Sequence, residues 1–183
     1  MQEGRHVIAK ANHRRIGRSA RAGIALDLSD EHAVIEALAL IRSSLGPDAD
    51  SLVVQHMASP GLDVHIRCTT DPLLGPVVTL DVGSLQAPQA GDGASRLVPL
   101  SRVAAAALVR TSRVGGALEL AGIDGEPLID AFMRVAQLMA DHPELDMIDI
   151  DPAIVSVDGC VATDATITLQ DAAPAVFPIR RLG

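Results

Sequence analysis

The sequence has no tryptophan and no tyrosine, and only two phenylalanines in 183 residues. That excludes a surface reading single-stranded nucleic acid by stacking bases on aromatic rings. It also means that any core is built from Ala, Val, Leu and Ile. Cysteine is equally scarce: Cys68 and Cys160 are too few and too far apart for a disulfide framework or a thiolate metal set, and each reads as a small apolar residue. No apolar run reaches the ~18 residues of a membrane span. The N-terminus carries no apolar signal region, so no membrane partner and a cytoplasmic location are expected. Lys10 is the only lysine, and the formal net charge of −8 argues against a general nucleic-acid binder. Neither a Walker-type loop nor a Gly-x-Ser-x-Gly elbow occurs.

What is present is a chain that is 48% hydrophobic and long enough to bury a core. Its charge is uneven. Arg5, Arg14, Arg15, Arg18 and Arg21, with Lys10, make the start basic, and the remainder is acidic. Short strands are expected at 6–10, 24–28, 51–57, 62–68 and 77–82. In "LDVHIRC", Leu62, Val64, Ile66 and Cys68 alternate onto one side. Ser29 is positioned to cap a helix that Gly46 stops, and Ser101 to cap another through Thr111. A Gly-rich connector then precedes a helix near 125–141. Its apolar positions Leu128, Ile129, Phe132, Val135, Ala136 and Met139 recur at helical spacing, and Pro143 ends it. Residues 83–95 read as a long loop. The mixture predicts an α+β, or mixed α/β, fold.

The segment "DMIDIDPAIVSVDGCVATDATITL", 146–169, sets acids into a β-branched run. Asp158–Gly159 is a two-residue turn signal. Centring a hairpin there pairs Val157 with Cys160 and Ala153 with Asp164. Asp149, Asp151 and Asp164 then share one face, and Ile148, Ile150 and Ile154 the other. Asp151 lies diagonal to Asp164, ~7–8 Å away at the backbone. By spacing alone a solvated acidic face is the commoner outcome. The alternative is an Mg²⁺ site completed by water and phosphate oxygens.

"DIDPAIVSVDGCVATDA" resembles the metal-binding hairpin of ATP-grasp proteins, above all of the ADP-forming acyl-CoA synthetases and the succinyl-CoA synthetase β subunit. "VIAKANHRRIGRSARAGIALDLSD" is similar to the family's small-lobe strand with its phosphate-binding lysine. "SLVVQHMASPGLDV" resembles the segment linking the two lobes. "DPLLGPVV", "RLVPLS" and "ADHPELDMIDIDP" follow in the family's order, so that the resemblance spans roughly residues 6–170.

This resemblance implies a partial ATP-grasp small lobe and linker over 1–57, the C-terminal lobe with its antiparallel metal-binding hairpin over 58–170, and an extended tail over 171–183. It implies ATP, or another nucleoside triphosphate, with Mg²⁺. Lys10 would contact phosphate, Gln55 and Met57 would lie near adenine, and Asp151 and Asp164 would hold the metal with Asp149 beside them. It also implies a CoA-binding, phosphohistidine-bearing partner domain or subunit, oligomerisation, and acid–thiol ligation by the intact assembly. The chain by itself is expected to be an inactive piece of such a ligase. Some relatives of this kind are joined to GNAT-type acetyltransferases. The sequence departs from the family pattern at Asp151, where the family has Asn, at Asp63, one methylene shorter than the usual acid, at Met147, which stands where an acid is common, and in "VGSLQAPQAGDG", which replaces a Gly-Gly loop. These departures leave a degenerate domain with a regulatory or interaction role as the alternative.

Overall fold

The strands expected at 6–10, 24–28 and 51–57 form one antiparallel sheet. The structure, a computed structural model, describes residues 6–11, 23–49, 51–83 and 93–170. The Arg-rich stretch 14–21, most of the loop expected over 83–95 and the tail 171–183 lie outside them. The chain divides into two compact units, Met1–Ala58 and Ser59–Gly183.

In the first unit, β1 (Val7–Ala11) lies between β2 (Ile24–Leu28) and β3 (Leu52–His56). The helix α1 (Glu31–Leu45) packs on one face. Its cap is Asp30 rather than Ser29: the Asp30 carboxylate accepts the Ala33 N–H at 2.8 Å, meeting a donor that the first turn leaves unpaired. Gly46, at φ 55, closes the helix as expected. Ala37 and Ile41, one turn apart, are buried with Ala9 and Leu28.

The second unit is a larger antiparallel sheet covered on one face by three helices. Its strands are β4 (Leu62–Asp71), β5 (Gly75–Val82), β6 (Ala94–Leu97), β7 (Leu145–Ser156), β8 (Gly159–Ala162) and β9 (Thr166–Leu169). Their order is β6-β5-β4-β7-β8, with β9 also on β7. The helices are α2 (Arg102–Thr111), α3 (Arg113–Ala121) and α4 (Glu126–Asp141). All six periodic positions of α4 are buried, Phe132 completely, against Val64, Ile66, Cys68, Val78 and Leu80. Burying such side chains is worth about 1.5–3 kcal/mol each. Burial also pushes the Cys68 thiol up to about 12, as suits a packing residue.

Two segments differ from expectation. The "Gly-rich connector" is helix α3. Ser112 caps it, accepting the Gly115 N–H at 3.1 Å, and a Cβ at Gly115 would lie 2.1 Å from the Val109 carbonyl oxygen. That glycine lets two consecutive helices abut. Within the expected 83–95 loop, Ala94 and Ser95 begin β6, paired to Leu80 and Thr79.

The hairpin also differs, in two ways. Its turn is Val157–Asp158, with Ser156 paired to Gly159 and Ala153 to Ala162. The Ser156 hydroxyl accepts the Asp158 N–H at 3.2 Å, and Gly159, at φ 131, opens the return strand. The register is thus displaced by two residues, which preserves the faces. A β-bulge does not preserve them. Val64 pairs with Ala153 and Ile66 with Ile150, so His65 alone faces both Asp151 and Pro152. Past that point the inward side changes from Ile148 and Ile150 to Ala153 and Val155. Ile154, expected on the apolar side, therefore joins the face of Asp149.

Candidate functional site

The face of the larger sheet turned away from the helices is polar. Asp63, His65 and Arg67 alternate along β4, Thr79 and Asp81 stand on β5, and Asp149 on β7 pairs across with Arg67. Asp149 is held at both oxygens: His65 Nε2 donates to Oδ1 at 2.5 Å and the Arg67 guanidinium donates to Oδ2 at 2.8 Å. The side chains of Asp149 and His65 are only 11% and 16% exposed, and that of Arg67 36%. Burial pushes the Asp149 carboxyl up, but the hydrogen bonds from His65 and Arg67, and their charges, outweigh it. They hold the group well below the usual carboxylate range. The Arg67 Nε is buried and has no partner among the described residues. Asp63 is buried and packs on the bare Cα of Gly83, where a Cβ would come within 1.7 Å of Asp63 Oδ1.

Asp151 and Asp164 sit at the interruption between β8 and β9. Both strands pair β7 in one register, Ala153 with Ala162 on one side and Asp149 with Thr166 on the other. Across the gap, the Thr163 N–H and hydroxyl both donate to the Pro152 carbonyl, at 3.1 and 2.9 Å. The same register carried through this gap sets Asp164 directly opposite Asp151 rather than diagonal to it. Directly opposed residues have Cα atoms about 4.5–5.5 Å apart. Asp151 is half-buried and Asp164 exposed. Asp164 Oδ1 accepts the N–H of Ala165 at 2.9 Å. Among the described residues no three His, Cys, Asp or Glu side chains form a ready-made metal cage. A two-carboxylate edge suits an ion such as Mg²⁺, which keeps water and phosphate oxygens as its other ligands.

In the smaller unit, Ile8 pairs with Gln55 and Lys10 with Val53. Since Ala9 packs toward α1, the half-buried Lys10 and Gln55 share the opposite face of this sheet, diagonal to each other. Met57 stands apart from them, just past β3. Its N–H donates to the His6 carbonyl at 3.1 Å, and its sulfur accepts the Asp27 N–H at 3.2 Å. The His6 and Asp27 side chains are themselves paired.

His65 and Arg67 escaped the sequence reading. The alternation in "LDVHIRC" exposed them as one polar row with Asp63, but nothing local named Asp149 as the cross-strand partner.

A family profile described as an ATP-grasp domain matches residues 1–169. The chain is 26% identical over 163 residues to the acetate–CoA ligase [ADP-forming] I subunit beta of Pyrococcus furiosus, covering 84% of this chain and 70% of that protein. It is 27% identical over 167 residues to the acetate–CoA ligase [ADP-forming] I of Archaeoglobus fulgidus, covering 85% of this chain and 24% of that protein. Among solved structures, the dinucleotide-forming acetyl-coenzyme A synthetase 1 of Ca. Korarchaeum cryptofilum superposes with a TM-score of 0.79 at 24% identity, covering 90% of this chain and 76% of that one. The same enzyme in complex with coenzyme A and Mg-AMPPCP gives 0.75 at 25% identity, with the same coverage. The antiparallel sheets, the hairpin and these matches agree, and the chain belongs to the ATP-grasp family.

Proposed function

We propose that this chain is the Mg-nucleotide-binding domain of an NDP-forming acyl-CoA-synthetase-like protein. The observation that carries the reading is the juxtaposition of Asp151 and Asp164 at the bulged edge of β7. Carboxylates on directly opposed residues repel each other, and a divalent cation relieves that repulsion. Asp151 and Asp164 would hold Mg²⁺, which when bound supplies charge neutralisation for the nucleotide phosphates. Asp149 stands beside them, but its oxygens are turned to His65 and Arg67, so it is the weakest ligand of the three. Lys10 would place its ammonium on phosphate. Gln55 would offer its amide to the adenine edge, with Met57 as an apolar neighbour. Acid–thiol ligation would need a CoA-binding, phosphohistidine-bearing domain or subunit as partner, in the cytoplasm, with oligomerisation joining the parts. The limits 1–57 for a small lobe with its linker and 58–170 for the C-terminal lobe belong to the same reading.

Calorimetry with ATP tests it. Saturable heat with Mg-ATP, lost in EDTA and in Asp164→Ala, is the expected result. No heat at millimolar nucleotide overturns it. The lock on Asp149 favours a second reading, a degenerate domain with a regulatory or interaction role: a built-in guanidinium and imidazole already occupy one acid of the edge. Nucleotide binding of equal strength with and without Mg²⁺ would support that reading over the first.

A further inference from the structure

Strand β2 uses one residue more than the β1 segment it faces. Val7 pairs with Leu28 and Ala9 with Ala25, so Leu26 and Asp27 together stand opposite Ile8 alone. A bulge of this kind takes a backbone group out of the ladder and re-aims it. Asp27 is also the only non-glycine residue at positive φ among the described residues, at 63°. A residue with a Cβ holds that left-handed conformation at a cost, and keeps it only where its surroundings fix it.

What surrounds it is a closed ring of three residues. The Asp27 N–H donates to the Met57 sulfur at 3.2 Å. The Met57 N–H donates to the His6 carbonyl at 3.1 Å, and the His6 ring pairs with the Asp27 carboxylate. Met57 follows β3 and Asp27 belongs to β2, on opposite sides of β1. The Met57 side chain therefore reaches across the end of the central strand. A thioether is a weak acceptor, and an exposed methionine ordinarily turns about three bonds. Here the sulfur is held while 38% of the residue stays exposed, which leaves an apolar flank open to a ligand.

We propose, resting on the reading of Met57 as a neighbour of adenine, that Asp27 is a positioning residue for base recognition. Its left-handed amide fixes the Met57 thioether as a preformed apolar contact for the purine of the nucleotide. A methionine already held loses no rotamer freedom when a base lands on it, whereas a free one does. The backbone amide carries this role rather than the charge. Asparagine, which tolerates the left-handed region, preserves it, and β-branched valine does not.

The test uses the full chain labelled with ¹³C at the methionine methyls, with Met57 assigned through Met57→Leu. The methyl carbon shift reports the rotamer about the bond between Cγ and sulfur. Without nucleotide, wild type and Asp27→Asn should show Met57 at the shift of one rotamer, and Asp27→Val at the averaged position of a free methionine. Calorimetry then compares Mg-ATP with Mg-tripolyphosphate, which offers phosphates without a base. Asp27→Val should weaken ATP about fivefold, the scale of one immobilised side chain, and leave tripolyphosphate unchanged. Asp27→Asn should match wild type for both. An averaged Met57 methyl in the wild type overturns the proposal without any variant, so the test stays decisive if Asp27→Val does not fold. Equal weakening of ATP and tripolyphosphate, the mark of a merely structural residue, also overturns it. A fixed methyl with no heat from ATP places the failure in the nucleotide reading, and the proposal falls with it. A fixed methyl that does not shift when ATP binds with normal heat overturns the base contact alone.

Discussion

Asp149 is where a structural role and a metal-binding role separate most sharply. Asp149→Ala removes the carboxylate that faces both His65 and Arg67. Breaking a fully buried ion pair costs about 3–5 kcal/mol, whereas an exposed pair contributes about 0–1 kcal/mol. Asp149 and His65 are largely enclosed, but Arg67 is about one-third exposed, and water recovers part of its guanidinium. The expected loss is therefore about 2 kcal/mol, intermediate between those limits. Without tryptophan or tyrosine, intrinsic fluorescence is a poor probe. Hydrogen exchange at Ile66, Cys68 and Ile148 isolates the strands concerned. At about 1.4 kcal/mol per decade the loss corresponds to about thirtyfold faster exchange. The pH dependence has a definite sign. The folded carboxyl lies below its ordinary value, so its contribution is complete above the unfolded pKa of about 3.9 and is lost as pH falls through the folded value. The difference between wild type and Asp149→Ala should shrink with acid and be present at pH 7 without any metal. A difference below about 0.5 kcal/mol at neutral pH, the range of an ordinary surface change, would refute the lock. So would a difference that arises only when Mg²⁺ is added, which would make Asp149 a ligand instead.

Adjacent glycines in α3 should respond with opposite signs. Gly115→Ala drives a Cβ into the Val109 carbonyl and should cost about 1–3 kcal/mol. Gly116→Ala meets nothing within 4 Å and should stabilise by about 0.5–1 kcal/mol. Both are read by urea unfolding followed by circular dichroism. Phe132→Ala, at the fully buried centre of α4, should cost about 3–5 kcal/mol, seen as loss of slow-exchanging amides in β4, β5 and β7. Asp30→Ala removes the α1 cap and should cost about 1 kcal/mol, confined to amides of the smaller unit.

The elements most legible in the sequence are those whose burial repeats with the period of their own backbone. Helix α4 shows all six of its buried residues at helical spacing, and β4 shows its inward set by strict alternation, so each could be read without knowing its neighbours. Helix α3 could not. Its Gly115 and Gly116 have low helix propensity, and the reason that Gly115 is used, the close approach of Val109, exists only once α2 is folded. Strand β6 was hidden similarly: Ala94 to Leu97 carry no alternation, and their strand character comes from pairing with β5.

The acidic hairpin shows which errors a site survives. Misplacing its turn by two residues left every side chain on its proper face, because the strand repeats every two residues. Asp151 and Asp164 therefore stayed neighbours and moved from diagonal to opposed. The bulge at Asp151–Pro152 is an error of one residue, and it exchanges the faces beyond it, which is why Ile154 was misassigned. Proline, which cannot donate to a ladder, was the local clue to that irregularity. What no local clue supplied is the strand that β7 meets on its other side. Pairing with β4 turns Asp149 from an acid standing beside the two expected ligands into a carboxylate locked by His65 and Arg67. That Asp149 already holds two donors from β4 is thus a matter of long-range register, and Asp149→Ala measured with and without Mg²⁺ reads it directly.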